Sequence, residues 1–208
     1  MVGAQPKAVV FDLLTGLLDS WSIWDAAAGS KVLGRRWRAR YLELTYQCGA
    51  YRPYEDLVSE AAVDSDLSAT AAATLRAIWD QLTPWPEVPR VLTRLRAQGL
   101  RLGVVTNCSN ELGARAVARC GVAFDAVITA EQVGFYKPRP EAYRAILAAL
   151  DLSPDRALFV AGSPADIAGA AGVGMPVIWH NRVGLPARPG PKPLREAATL
   201  DSALEGLA

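Results

Sequence analysis

The chain has 208 residues, of which 51% are apolar and 21% charged, and its net charge at pH 7 is +1. That length and balance suit one globular core, or a core carrying a modest insertion. Two kinds of partner are excluded: a near-neutral chain has no global attraction for nucleic acid or an acidic membrane, and no run approaches the roughly 20 apolar residues that span a bilayer.

The first seven residues lack the charged-then-apolar pattern of a signal peptide, so a cytoplasmic location is expected. Residues 7–11 (KAVVF) are a short apolar run ending at Asp12, which reads as a buried parallel strand with a carboxylate at its C-terminal end. From about residue 21 to 82 the chain is helical in pattern, rich in Ala, Leu, Arg and Trp, with no period-two alternation. This stretch is expected to be an inserted helical cap, with Thr83-Pro84-Trp85-Pro86 as the return hinge. Trp37, Tyr41 and Tyr46 are assigned to packing within it.

Beyond the hinge, helical patterns at 88–98, 111–120, 140–149 and 166–172 alternate with apolar runs at 102–105, 126–128, 157–160 and 176–179. The alternation predicts an α/β fold: a doubly wound, Rossmann-like parallel sheet core over 1–20 and 83–208, with the cap at 21–82. After Asn181 a proline-rich tail is expected to wrap the surface, with Asn181 holding it, before a short terminal helix.

In such sheets, ligands bind outside the carboxyl ends of the strands. Asp12 sits at one such end, Thr106-Asn107 at a second, and Ala161-Gly162-Ser163 at a third, followed by Asp166. Lys137 lies in Gly134-Phe135-Tyr136-Lys137-Pro138, after an apolar loop and before a helix. Singly, each has an ordinary structural explanation: a turn Asp, a helix N-cap, a surface Lys, an Asp favoured by a helix dipole. Together they offer a carboxylate nucleophile, an anion-holding hydroxyl, an orienting cation and a second acid. Cys48, Cys108 and Cys120 are odd in number and widely spaced, which fits free thiols rather than disulfides or a zinc site. A Cys/His pair would have to use His180, the single histidine.

In order along nearly the whole chain, these residues resemble the four motifs of the haloacid dehalogenase superfamily. The resemblance implies Asp12 as nucleophile, Thr106 as the second-motif hydroxyl, Lys137 as the third-motif lysine and Asp166 as the fourth-motif acid. Phosphatases of the superfamily carry an acid two residues after the nucleophile and another in the fourth motif; here those positions are Leu14 and Gly162. Too few carboxylates then remain for an octahedral magnesium site. Displacing a halide from an sp³ carbon needs neither acid, because halide leaves without a proton.

Other segments resemble the 2-haloacid dehalogenase branch. Residues 37–43 (WRARYLE) are similar to the cap helix that brings an arginine to the leaving halide, here Arg38. The Lys137–Tyr143 spacing matches that branch, and 179–184 (WHNRVG) is similar to its Trp-Asn-Arg segment. The departures are Leu14, Thr15 and Gly16 where the branch has Tyr, Gly and Thr, and Ala161 and Ser163 where it has Ser and Asn.

The expectation is a hydrolase that forms an aspartyl ester and releases halide from small 2-haloalkanoic acids, with no cofactor and no metal. Backbone N–H groups near Leu13 and Leu14, with Thr106 and Ser163, would hold carboxylates; Thr15, Asn107 and Tyr143 complete the expected substrate contacts. The alternatives are a metal-free hydrolase of another small carboxylic acid, a divergent phosphatase, and an inactive binding protein. The expected partner is a small carboxylic acid, not nucleic acid or membrane, and a homodimer is compatible with the sequence.

Overall fold

A computed structural model describes residues 5–68 and 70–207. Strand β1 (Ala8–Asp12) is buried along its whole length and lies between β2 (Arg101–Thr106) and β4 (Ala157–Ala161). β3 (Ala126–Thr129) pairs outside β2, and β5 (Val177–His180) outside β4. The order is β3-β2-β1-β4-β5-β6, where β6 is Arg195–Ala197, and every pairing is parallel. Continuous apolar runs are what a parallel sheet covered on both faces requires. Successive side chains alternate between two apolar layers: Val9, Phe11, Leu102 and Val104 face one, and Ala8, Val10 and Phe159 the other.

Between β1 and β2 the insert holds four helices among the described residues, α1 (Ser20–Ala27), α2 (Lys31–Gln47), α3 (Tyr54–Asp64) and α4 (Thr70–Ala77), then a single 3-10 turn, Trp79–Gln81. No strand occurs among the described residues of this insert. Its exit and return run side by side. The Asp19 amide donates to Thr83 O at 2.8 Å, and the Trp85 amide to Leu17 O at 3.0 Å. Side chains supply N-caps: Asp19 accepts from the Ser22 amide, and Ser30 from the Leu33 amide. A row of aromatic rings forms the insert's centre, Trp37–Trp24–Tyr41–Tyr54–Trp79, with neighbouring centroids 4.6, 5.5, 5.3 and 6.0 Å apart. The Trp37 indole donates to Val58 O at 2.8 Å within the insert, and that of Trp79 to Leu112 O at 2.9 Å across to the core. One apolar cluster takes in both parts.

Helix α5 (Val88–Ala97) leads from the insert into β2, and after β2 come α6 (Asn110–Ala118), α7 (Ala130–Val133), α8 (Pro140–Ala149), α9 (Pro164–Gly172) and α10 (Leu200–Ala203). Two elements differ from the sequence expectation. Helix α7 is one turn, too short for a periodic signal. Strand β6 belongs to the tail that was expected only to wrap the surface; it is a three-residue edge strand, largely exposed, with no apolar run to announce it. No described helix is long and apolar enough to cross a membrane.

Trp37 is fully buried with its indole N–H satisfied. Trp37→Ala is expected to cost about 3–5 kcal/mol through the cavity left behind. Urea or guanidinium unfolding should show this as a lower midpoint with circular dichroism at zero denaturant retained.

Candidate active site

The carboxyl ends of β1, β2 and β4 lie along one edge of the sheet, so the turns that follow them share one space. After Asp12 the chain turns tightly through 13–16. The Thr15 and Gly16 amides each donate to Asp12 Oδ2 at 3.0 Å, and the Thr15 hydroxyl donates to the same oxygen at a very short separation. A side chain at Gly16 would press into the Asp12 carbonyl, so the turn needs glycine there. The carbonyls of this loop are also held. Ser20 Oγ donates to Leu14 O, Trp85 Nε1 to Thr15 O at 3.2 Å, and His180 Nδ1 lies 2.8 Å from Gly16 O. A carbonyl only accepts, so His180 carries its proton on Nδ1. Burial lowers its pKa, keeping the ring neutral.

Lys137 reaches this loop from the segment before α8. Its backbone is fixed by Asn107: the Lys137 amide donates to Asn107 Oδ1 at 2.7 Å, and Asn107 Nδ2 donates to Lys137 O at 3.0 Å. Its ammonium donates to Asp12 Oδ1 at 2.6 Å and lies 3.3 Å from Asp166 Oδ1, with only 3% of the side chain exposed. Asp166, in the first turn of α9, accepts from Tyr143 Oη at 2.9 Å and Ser163 Oγ at 3.2 Å.

The two carboxyls are driven apart in acidity. Burial alone would raise Asp12, but the charge and hydrogen bond of Lys137, with the bonds from Thr15, hold it below the usual aspartate value. Asp166 is raised: burial dominates and the Asp12 charge adds to it, against the opposing pull of Lys137. Burial would lower Lys137, yet the two carboxylates keep it above the ordinary lysine value. One acid therefore stays ionised while the other becomes the better base, the environment-set division of labour expected of an acid–base pair.

Above this cluster is a cavity of about 380 Å³, bounded by Asp12, Leu14, Thr15, Lys137 and Asp166 below and by Trp21, Arg38, Tyr41 and Tyr46 of the insert above. Asn107 and Ser163 border it too, and so do Leu185–Arg188 of the tail. Arg38 is buried, donates to Ser20 Oγ at 2.8 Å, and stacks on the Trp21 ring 4.0 Å from its centroid. It forms no ion pair among the described residues.

The structure separates the expected site residues into three groups. Asp12, Lys137, Asp166, Thr15, Asn107, Ser163, Leu14 and Arg38 meet at the cavity. Tyr143 is fully buried behind it and touches Asp166, so it supports that carboxyl and does not line the cavity. Thr106 and Leu13 are also set apart. The Thr106 hydroxyl lies 3.5 Å from Cys108 Sγ, and Leu13 is buried in the apolar cluster. The amides that grip Asp12 are those of Thr15 and Gly16, two positions further along than expected. Asn181 holds the tail, donating to Leu185 O and accepting from the Leu185 amide, but the tail it holds is a cavity wall. Ser20, Trp85 and His180 were not anticipated, since nothing local in sequence ties them to a loop carbonyl. Cys108 is buried, and burial pushes its thiol up to about 12, so it stays protonated.

The donor set does not fit a magnesium ion. A Cβ on Gly162 would lie 2.6 Å from Asp12 Oδ2 and closer still to Thr15 Oγ1 and the Gly16 amide. The Thr15 hydroxyl thus fills the space through which an acid at position 162 would have to reach. Gly162→Ala is expected to destabilise by about 1–3 kcal/mol, the usual penalty for overpacking, measured as a drop in the unfolding midpoint; wild-type stability would show that the loop yields freely.

Residues 6–174 match the sequence model of the haloacid dehalogenase-like hydrolases. Haloacetate dehalogenase H-2 of Moraxella sp. (strain B) is 31% identical over 194 residues, covering 86% of this chain and 87% of that protein. The (S)-2-haloacid dehalogenase H-109 of Pseudomonas putida is 32% identical over 197 residues, covering 86% and 88%. A crystal structure of an L-2-haloacid dehalogenase superposes with a TM-score of 0.88 at 28% identity, over 98% of this chain and 99% of the other. With its motifs gathered at the strand ends and the family match spanning most of its length, the chain belongs to the haloacid dehalogenase-like hydrolases.

Proposed function

We propose that the protein hydrolyses the carbon–halogen bond of 2-haloalkanoic acids through an ester on Asp12. The observation that carries this reading is the ion triad Asp12–Lys137–Asp166 facing, across one cavity, a buried guanidinium with no carboxylate partner among the described residues. The names of the relatives at about 30% identity support the same substrate class.

Asp12 Oδ2 already accepts three hydrogen bonds, whereas Oδ1 accepts one, from Lys137. Oδ1 is therefore the oxygen assigned to attack. It displaces the halide at C2 of the substrate; the new C–O bond forms as the C–X bond breaks, and the halide leaves with the bonding pair toward Arg38. A buried arginine suits this task because its charge is permanent and its desolvated field is strong. The ester then reacts with water. Asp166, raised in pKa, takes a proton from the water, which attacks the Asp12 carboxyl carbon. Negative charge develops on Oδ2, where the Thr15 and Gly16 amides and the Thr15 hydroxyl already point, an oxyanion cradle assembled before the reaction begins. On collapse the bond from the Asp12 carboxyl carbon to the substrate oxygen breaks, Asp166 returns its proton to that oxygen, and the 2-hydroxy acid leaves while Asp12 regains its carboxylate by losing the water's second proton to solvent.

Asp12→Asn is expected to lower halide release by several powers of ten, as loss of a covalent nucleophile does, with the fold retained by circular dichroism. In a single turnover in ¹⁸O-water the label should enter Asp12 and leave the product mostly unlabelled; label appearing first in the product would mean that water attacks the substrate carbon directly.

Because Asp166 must be ionised to act as base in ester hydrolysis and its pKa is raised, the acid limb of kcat is expected above the ordinary aspartate value of 3.8. The Tyr143 hydrogen bond favours the ionised form, so Tyr143→Phe should move that limb to higher pH. A limb that stays put would detach Asp166 from the base role.

A further inference from the structure

The halide and the carboxylate of a simple 2-haloacid do not use up the positive charge around the cavity. Four cations border it, Lys137, Arg35, Arg38 and Arg188, against two carboxylates, Asp12 and Asp166. Lys137 is committed to those two acids, and Arg38 is assigned to the halide. Arg35 and Arg188 remain without a role.

Neither forms an ion pair among the described residues. The contrast along α2 is sharp: Arg36 pairs with Asp66 at 2.5 Å and Arg40 with Asp64 at 2.7 Å on the outer side, while Arg35 and Arg38, three residues apart and so on one face, turn to the cavity. Trp21 carries both heads, with Cζ of Arg35 5.3 Å and Cζ of Arg38 4.0 Å from its ring centroid. Holding two guanidinium groups on one indole places like charges together, an arrangement that an incoming anion relieves. Asp25 on α1 acts on both through space but bonds to neither. The Nε of Arg35 is buried and has no hydrogen-bond partner among the described residues, a donor open to a bound anion. Arg188, on the tail segment that Asn181 holds, also lines the cavity, sits over the Tyr46 ring at 5.5 Å and hydrogen-bonds with that tyrosine, a neutral partner that leaves its charge uncompensated. The volume, about 380 Å³, lies in the range of about 300–1,000 Å³ typical of whole-ligand pockets, so a three-carbon acid on Asp12 leaves the outer part unfilled.

We propose that the cavity is built for 2-halogenated dicarboxylic acids, the second carboxylate being received by Arg35 and Arg188. This rests on the dehalogenase reading for the reaction, which it leaves unchanged; it adds the substrate class. Two surplus cations match a dianion, and planar guanidinium donors bind carboxylates more strongly than neutral donors do.

The test measures binding apart from turnover. Calorimetric titration of the wild-type protein with glutarate and with pentanoate, neither of which carries a halogen, should show the diacid bound about ten-fold or more tightly, the scale of one charge-assisted contact. Arg35→Gln and, separately, Arg188→Gln on the exposed tail should bring that ratio toward one. Equal affinities in the wild type, or variants that weaken both acids by the same factor, overturn the proposal. Halide release is then compared for 2-bromoglutarate and 2-bromopentanoate. A higher kcat/KM for the diacid supports the assignment. A higher value for the monoacid overturns it while dehalogenation stands. Tight, Arg35-dependent diacid binding with no halide released from either acid sustains the anion site and removes the dehalogenase reading instead.

Discussion

An ammonium group buried between two carboxylates organises this molecule. Lys137 is almost wholly removed from water, and so are Asp12 and Asp166. Separately, any of the three would be costly to bury as an ion; together they compensate one another, provided that each is held at hydrogen-bonding distance. That condition reaches far into the fold. It requires β1 and β4 to end side by side, the segment before α8 to cross their edge, and α9 to begin with its first turn under the lysine. The net charge of the triad is negative, and the buried guanidinium of Arg38 above it opposes that field across the cavity.

The loop carrying Asp12 is rigid because its polar groups have partners drawn from distant parts of the chain. Trp85 comes from the return hinge, His180 from the end of β5, and Ser20 from the start of the insert. Ser20 also accepts from Arg38, so the cation of the insert and the Asp12 loop share one hydroxyl. Tyr41 adds a second tie, donating to Asn107 O at 2.9 Å, while Asn107 clamps Lys137. Displacement of the insert would thus be felt at both the cation above the site and the lysine below it, which is what a preorganised site demands.

Thr15 and Gly162 show how one exchange of residues changes the chemistry available to a shared scaffold. The Thr15 hydroxyl lies where a side chain at 162 would grow. A hydroxyl there donates to Asp12, whereas an acid there would repel that carboxylate unless a cation intervened. Leu14, two residues after Asp12, adds an apolar wall in place of an ionisable one.

Much of this was legible in the chain itself. Apolar runs ending in Asp12, Thr106 and Ala161 identified parallel strands, because burial on both faces leaves no polar alternation. The parallel topology then put those polar endings on one edge, since every strand points the same way. The helical character of the insert was equally plain from its composition and period. What the linear order could not decide was where each side chain pointed once it arrived. Thr106 and Tyr143 are near the site yet turn to Cys108 and Asp166. Ser20, Trp85 and His180 bind loop carbonyls across gaps of 6, 70 and 164 residues. The tail, read as wrapping, closes the cavity with Arg188. Periodicity and strand polarity are properties of local backbone geometry, and so they survive in sequence. Side-chain direction and long-range hydrogen bonds depend on how the layers pack, and only the folded chain settles them.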